Sequence, residues 1–195
     1  MSDLPQGPRA IDDGGADHLA PGMVLPSIPL PATDGSTVNL AAVHGRSLVI
    51  VYPWTGCPGH PNPPNWDDIP GAHGSTPELE GFRDLSSDFT ALGFRLLGLS
   101  RQGTAYHREL VMRLALPFAV LSDAGSAFGD ALRLPTFTTG GAIYLRRLTL
   151  LLSDGAIAKI FYPVRNPAGH AGEILRDGGT GGTRYSASSS ASSTE

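Results

Sequence analysis

The chain has 195 residues, 41% of them hydrophobic and 16% charged, enough for one globular domain with a buried core but not for two full ones. Its formal charge of -4 supplies no basic field for a phosphate backbone or an anionic bilayer, which excludes nucleic acid and membrane as main partners and leaves a small molecule or a protein. The single cysteine, Cys57, excludes an intramolecular disulfide and a cysteine-rich zinc site.

Residues 1–20 are rich in Gly, Asp and Pro without hydrophobic periodicity and are expected to be disordered. They hold no basic stretch followed by an apolar run, and no later segment approaches the roughly 20 apolar residues that span a bilayer. A cytoplasmic protein is therefore the expectation. Two extended pieces, Met23 to Leu30 and Thr37 to Leu40, flank Thr33-Asp34-Gly35-Ser36 in the manner of a hairpin. Leu48-Val49-Ile50-Val51-Tyr52, stopped by Pro53, predicts a central strand buried on both faces.

After a Pro/Gly-rich stretch over 56–74, Leu79, Phe82, Leu85, Phe89 and Leu92 recur at helical spacing, and Gly93 supplies a stop. Phe94 to Ser100 predicts a strand, Tyr106, Leu110 and Leu114 the stripe of a second helix, and Phe118 to Leu121 a further strand. A short helix over 126–133 follows. Two strands, Ala142 to Leu152 and Ile157 to Val164, are joined by a D-G turn at Asp154-Gly155, and a last helix runs over 168–176. The tail 177–195 is a Gly/Ser/Thr stretch expected to be disordered. One domain over 21–176 with an inserted loop at 56–74 is thus expected. Strand–helix alternation with a closing hairpin predicts an α/β domain whose mixed central sheet carries helices on both faces, the layout of a thioredoxin-like fold.

Several pieces in order carry a resemblance: Gly22-x-x-x-Pro26, Thr33 to Leu40, Val51-Tyr52-Pro53, Ser75 to Asp84 (STPELEGFRD), Leu97 to Ser100, Pro117 to Asp123 and Arg147 to Ile157. Together they resemble the peroxiredoxins of the alkyl hydroperoxide reductase and thiol-specific antioxidant group, most of all the bacterioferritin-comigratory or Q-type branch. The resemblance implies an antioxidant oxidoreductase that reduces hydroperoxides with thioredoxin or a low-molecular-weight thiol as reductant. It also implies no cofactor, and is compatible with a homodimer.

In that family the peroxidatic cysteine opens the helix that carries the Phe-Arg-Asp run and is activated by an arginine from a neighbouring strand. Counted from Phe82-Arg83-Asp84, that position falls on Ser75, and the resolving position on Glu80; Arg147 matches the arginine. The family's loop threonine has no counterpart at Ala72. A second alignment places Cys57 in the peroxidatic role, with Pro53, Trp54 and Thr55 as the substrate-binding loop, but it departs from the family spacing. Both alignments stand as expectations.

Plainer readings exist for each. Ser75-Thr76-Pro77-Glu78 reads as a capping box, with Ser75 at the cap and Glu78 three residues on. Cys57 reads as an incidental loop thiol. His60, Asp67, Asp68 and His73 surround Cys57 in sequence, but their spacing is not a recognised ligand pattern and no metal is expected. Trp54, Trp66, Tyr52 and Phe137 form either an apolar wall beside Ser75 and Arg147 or ordinary core. A serine without an adjacent base cannot replace a thiolate in attacking a peroxide oxygen. The functional readings are therefore a peroxiredoxin-like oxidoreductase resting on Cys57, a peroxidase-inactive relative that binds a small acid or hydroperoxide-like ligand through Arg147, and a non-redox reaction under the inserted loop as a lid.

Overall fold

The computed structural model describes residues 7–178. Its centre is a five-stranded sheet in the order β5-β4-β3-β8-β9, formed by β3 (Arg46–Val51), β4 (Phe94–Ser100), β5 (Val120–Ser122), β8 (Leu148–Ser153) and β9 (Ala156–Phe161). β3 and β4 are parallel, as are β4 and β5, while β8 runs antiparallel to both β3 and β9. The helices are α1 (Ser75–Asp84), α2 (Ser86–Ala91), α3 (Thr104–Leu114), α4 (Ala127–Ala131) and α5 (His170–Gly178). Two small hairpins, β1 (Pro29–Pro31) with β2 (Thr37–Asn39) and β6 (Thr136–Thr139) with β7 (Ala142–Leu145), lie outside the main sheet.

The alternation of side chains along β3 divides the core in two. Leu48, Ile50 and Tyr52 pack with Leu79 and Phe82 of α1, Phe89 of α2, Leu110 and Leu114 of α3, and Ile174 of α5. Val49 and Val51 face the other way, onto Leu30 and Val38 of the first hairpin and Phe128 of α4. Both faces of β3 are thus dry, which is why its sequence is a continuous apolar run.

Three expectations change. The predicted helix through Leu92 is broken at Leu85, whose φ of -102° and ψ of 12° end α1 before α2 begins. Ser86-Ser87-Asp88 at the break is a run whose side chains compete for backbone groups and favour a new start. The predicted strand 142–152 is two strands in different sheets: β7 pairs with β6, and β8 joins β3. The sequence between them, Arg146-Arg147, is the crossing point. β6 itself was not expected, although Thr136-Phe137-Thr138-Thr139 before Gly140-Gly141 is a two-residue hairpin pattern.

At the N-terminus, residues 1–6 of the segment expected to be disordered lie outside the described residues. Residues 7–20 lie on the domain, with Ala16 and Leu19 buried in the hairpin-side core. Of the tail 177–195, all but the end of α5 lies outside the described residues. No helix among the described residues is long and apolar enough to cross a membrane.

Candidate functional site

The register Val51↔Leu148 sets Arg147 beside the C-terminal end of β3, where α1 begins. The guanidinium is buried, with 2% of the residue exposed. Its Nη2 donates to Ser75 Oγ at 3.0 Å and to the carbonyls of His73 at 3.0 Å and Ala72 at 3.4 Å. Its Nη1 pairs with Glu78, whose side chain is fully buried. Among the described residues, Glu78 Oε1 and Arg147 Nε have no hydrogen-bond partner. The site therefore holds an anchored cation with spare donor and acceptor capacity inside a dry environment.

Ser75 is the first residue of α1, not its cap. The cap is Gly74, with φ 102°, and no side chain caps the helix. Glu78, one turn on, points inward to Arg147 instead of back to the cap, so the capping-box reading is overturned. A side chain at Gly74 would also strike Pro167, whose Cγ lies 2.7 Å from the added Cβ position. This tight entry turns Ser75 onto Arg147 at the positive end of the ten-residue helix.

Burial pushes the Glu78 carboxyl up to about 7, against the opposing pull of Arg147. His170 packs nearby, with its ring edge-on to Phe82 and Phe161 and its Nε2 at 3.0 Å from Thr149 Oγ1. Burial first, and the Arg147 charge second, hold it down at about 4. His107, 2.7 Å from Ser100 Oγ, is lowered to about 4 by burial alone.

Cys57 is placed elsewhere. Thr55 is buried, and its amide and hydroxyl donate to Gln102 Oε1 at 3.0 and 3.2 Å. The Thr55 carbonyl accepts from Gln102 Nε2 at 3.1 Å and Tyr106 Oη at 2.8 Å, and the Gly56 carbonyl accepts from Arg113 Nη2 at 3.0 Å. These bonds tie Cys57, half-buried, to α3 and the turn before it. Burial first, then the proximity of Cys57, raises the Tyr106 phenol.

The rings form a cluster with a different member, and of them Phe137 lines the cavity beside Arg147. Trp66 is buried, with ring centroids 5.4 Å from Trp54, 5.6 Å from Phe137 and 5.2 Å from Tyr144. Tyr52, the residue just after β3, packs on the helix side and meets His107 instead. Tyr144 enters the cluster because β7 pairs with β6, a pairing that a single strand over 142–152 does not contain. Thr139 Oγ1 donates to the Pro64 carbonyl, so the 56–74 loop is pinned at both Pro64 and Trp66. His73 Nε2 pairs with Asp67 at 2.7 Å, and among the described residues no three His, Cys, Asp or Glu gather as a metal site.

Pro53, Trp54 and Thr55 thus flank the path between β3 and Cys57, while Ser75, Glu78 and Arg147 form the assembled cluster. The cavity bordering Arg147 has a volume of about 10 Å³, and Phe137, Arg146 and Tyr162 share its lining with Ala10 and Ile11. A larger hollow of about 760 Å³ lies between α2 and the starts of β4 and β5, away from this chemistry.

Residues 20–175 match the family model described as Redoxin. The chain is 27% identical over 158 residues to the chloroplastic peroxiredoxin Q of Oryza sativa subsp. japonica, covering 81% of this chain and 66% of that protein. It therefore spans just under two thirds of the length of such plant relatives. It is 26% identical over 160 residues to a bcp peroxiredoxin of Coxiella burnetii, covering 79% of this chain and 95% of that one. Among solved structures, a cysteine-to-serine variant of Xylella fastidiosa PrxQ superposes with a TM-score of 0.66 at 22% identity, covering 82% of this chain and 95% of that one. The Xanthomonas campestris bacterioferritin comigratory protein, solved in work on its alkyl peroxide reduction activity, gives 0.64 at 24% identity, covering 81% and 96%.

Proposed function

The chain belongs to the redoxin family as a peroxiredoxin of the Q/bcp type on a thioredoxin-like fold, and from that premise we propose that it is a thiol-dependent hydroperoxide reductase with a non-standard active site. In this reading Ser75, Arg147 and Glu78 receive the hydroperoxide, and Cys57, the one cysteine of the chain, supplies the thiol. The observation that carries it is the 3.0 Å contact between Ser75 Oγ and the buried guanidinium of Arg147 at the start of α1. That is where the Q-type resemblance puts the reacting sulfur.

Ser75 itself is not the nucleophile. Its hydroxyl accepts from a cation and has no imidazole or carboxylate as base, so an alkoxide is not formed there. What Ser75 and Arg147 do is hold the peroxide oxygens by hydrogen bonds and a positive charge. The Cys57 thiolate would attack the terminal oxygen; the O–O bond breaks, the departing alkoxide takes up a proton as the alcohol, and Cys57 becomes a sulfenic acid. One external thiol then displaces water to form a mixed disulfide, and a second releases Cys57 and leaves as the external disulfide. A chain with one cysteine needs both equivalents from outside, from thioredoxin or a low-molecular-weight thiol. The compartment in this reading is the cytoplasm.

The step requires residues 56–65 to carry Cys57 from α3 toward Arg147. The bonds of Thr55 and Gly56 to Gln102, Tyr106 and Arg113 oppose that movement, and this favours a second reading. In it the Arg147 cluster binds a hydroperoxide-like or small acidic ligand without turning it over.

Consumption of hydrogen peroxide and an organic hydroperoxide in the presence of dithiothreitol, by the parent chain and by Cys57→Ala, separates the two. The first reading expects turnover in the parent that is lost in Cys57→Ala. An inert parent overturns it and leaves the binding reading, for which titration with a small carboxylate should change the emission of Trp54 and Trp66.

A further inference from the structure

The groups assigned to substrate are shut away. Ser75 is 4% exposed and Arg147 2%, and the cavity beside Arg147 holds no more than a single water. Part of the wall of that cavity, Ala10 and Ile11, comes from the N-terminal segment. Pro8 accepts a backbone bond from the Gly71 amide at 2.9 Å, Ala10 lies against Gly71, and Gly7 lies against the His73 ring. The covered strip, 71–73, is the one whose Ala72 and His73 carbonyls take the Nη2 of Arg147.

One residue clasps this segment. Asp13 Oδ2 forms an ion pair with Arg146 Nε at 2.9 Å without hydrogen-bond geometry, and its Oδ1 accepts hydrogen bonds from the Tyr162 hydroxyl and from the Gly15 amide at 3.0 Å. Arg146 is the sequence neighbour of Arg147, at the point where the chain crosses from β7 to β8. Beyond the clasp the chain is anchored firmly, since Ala16 and Leu19 are buried and His18 Nε2 lies 2.9 Å from the Leu132 carbonyl. Before the clasp it is held, among the described residues, by one backbone bond and small contacts, with Ile11 56% exposed. A segment with few buried apolar contacts and a single polar latch is one that opens locally at low cost, while the rest of the domain stays folded.

We propose that residues 7–13 are a strap that closes the Ser75–Arg147 site, latched by Asp13 on Arg146 and Tyr162 and hinged at Gly14-Gly15, and that substrate enters when this latch releases. The inference rests on the reading of Ser75 and Arg147 as the substrate site, and it assigns control of access to that site. The Asp13 carboxylate is held below the usual range by the Tyr162 and Gly15 hydrogen bonds and the Arg146 charge, although burial, the largest single influence, acts the other way. The latch is therefore charged at neutral pH.

The test measures reach, not turnover. In a chain carrying Ser75→Cys and Cys57→Ala, the thiol at position 75 is alkylated by iodoacetamide, and the rate is compared with the same chain bearing Asp13→Ala. Loss of a hydrogen-bonded carboxylate latch is expected to speed labelling by about tenfold, and removal of residues 1–11 to do so at least as much. Equal rates in all three chains overturn the strap, whether labelling is uniformly fast or uniformly slow. Amide exchange gives a second readout without a new thiol: the Gly71 amide should exchange about tenfold faster in Asp13→Ala than in the parent, and unchanged exchange overturns the proposal. Neither readout uses peroxide, so an inert peroxidase assay and an absent strap are distinguishable results.

Discussion

Ser75 Oγ and Arg147 Nη2 meet at 3.0 Å across 72 positions of sequence, inside a site where the arginine is almost wholly buried. Two local features produce the meeting. Gly74, in the left-handed region, bends the loop so that Ser75 enters α1 facing inward. The switch of sheet between β7 and β8 turns Arg147 toward the helix start and leaves Arg146 on the N-terminal segment.

Glu78 should make stability fall as pH rises through neutrality. Its folded-state value is raised to about 7 from 4.5, so above pH 4.5 the unfolded chain gives up a proton that the folded chain retains. The stabilising contribution of the protonated form is complete below the unfolded value and is lost as pH rises through the folded one. Glu78→Gln removes this dependence. Urea denaturation of parent and variant should diverge between pH 4.5 and 7 by up to about 3 kcal/mol in favour of glutamine, and a constant difference would contradict the burial of a titrating carboxyl. His107 and His170, both lowered to about 4, act with the opposite sign: their contribution is lost as pH falls from about 6.5 toward 4 in both chains, so the comparison with Glu78→Gln isolates the carboxyl.

Gly74→Ala tests the entry to α1. The substitution combines a positive φ of 102° with an added Cβ 2.7 Å from Pro167, and strain of this kind costs about 2 kcal/mol or more. Gly35→Ala is the matched control, since its φ is +87° and an added Cβ meets nothing within 4 Å. The urea midpoint should fall further for Gly74→Ala than for Gly35→Ala. Equal losses would mean that Pro167 yields and that Gly74 does not set the direction of Ser75.

Much of the fold could be read from the chain. The dry run of β3, the strand at Phe94–Ser100 and the Asp154-Gly155 turn appear where their patterns put them, because each pattern depends on burial or backbone geometry at its own position. The break at Leu85 and the crossing at Arg146-Arg147 are set by what the segments pack against, and a period count along one segment does not contain that information. The site divides the same way. Ser75 and Arg147 are positions that the family resemblance implies, and the structure brings their side chains within 3.0 Å of each other. For Glu78 the sequence is ambiguous, because Ser-x-x-Glu has the same spelling whether the glutamate reaches back to the helix start as a cap or inward to a buried arginine. Only its complete burial and the shift of the cap to Gly74 decide between them. The clasp of Asp13 on Arg146 and Tyr162 joins residues too far apart in sequence for any local pattern to show.

In the proposed function the start of α1 with Arg147 is a peroxidatic environment in which serine stands at the reacting position. Its most direct test is the ionisation of a thiol placed there, followed by thiolate absorbance in the Ser75→Cys, Cys57→Ala chain, a readout that needs no substrate to enter. The expected pKa is at least about one unit below the ordinary thiol value of about 8.5, because the helix start and the arginine both favour the anion. A pKa at or above about 8.5 would mean that burial outweighs the cation and that this position is not built to activate sulfur.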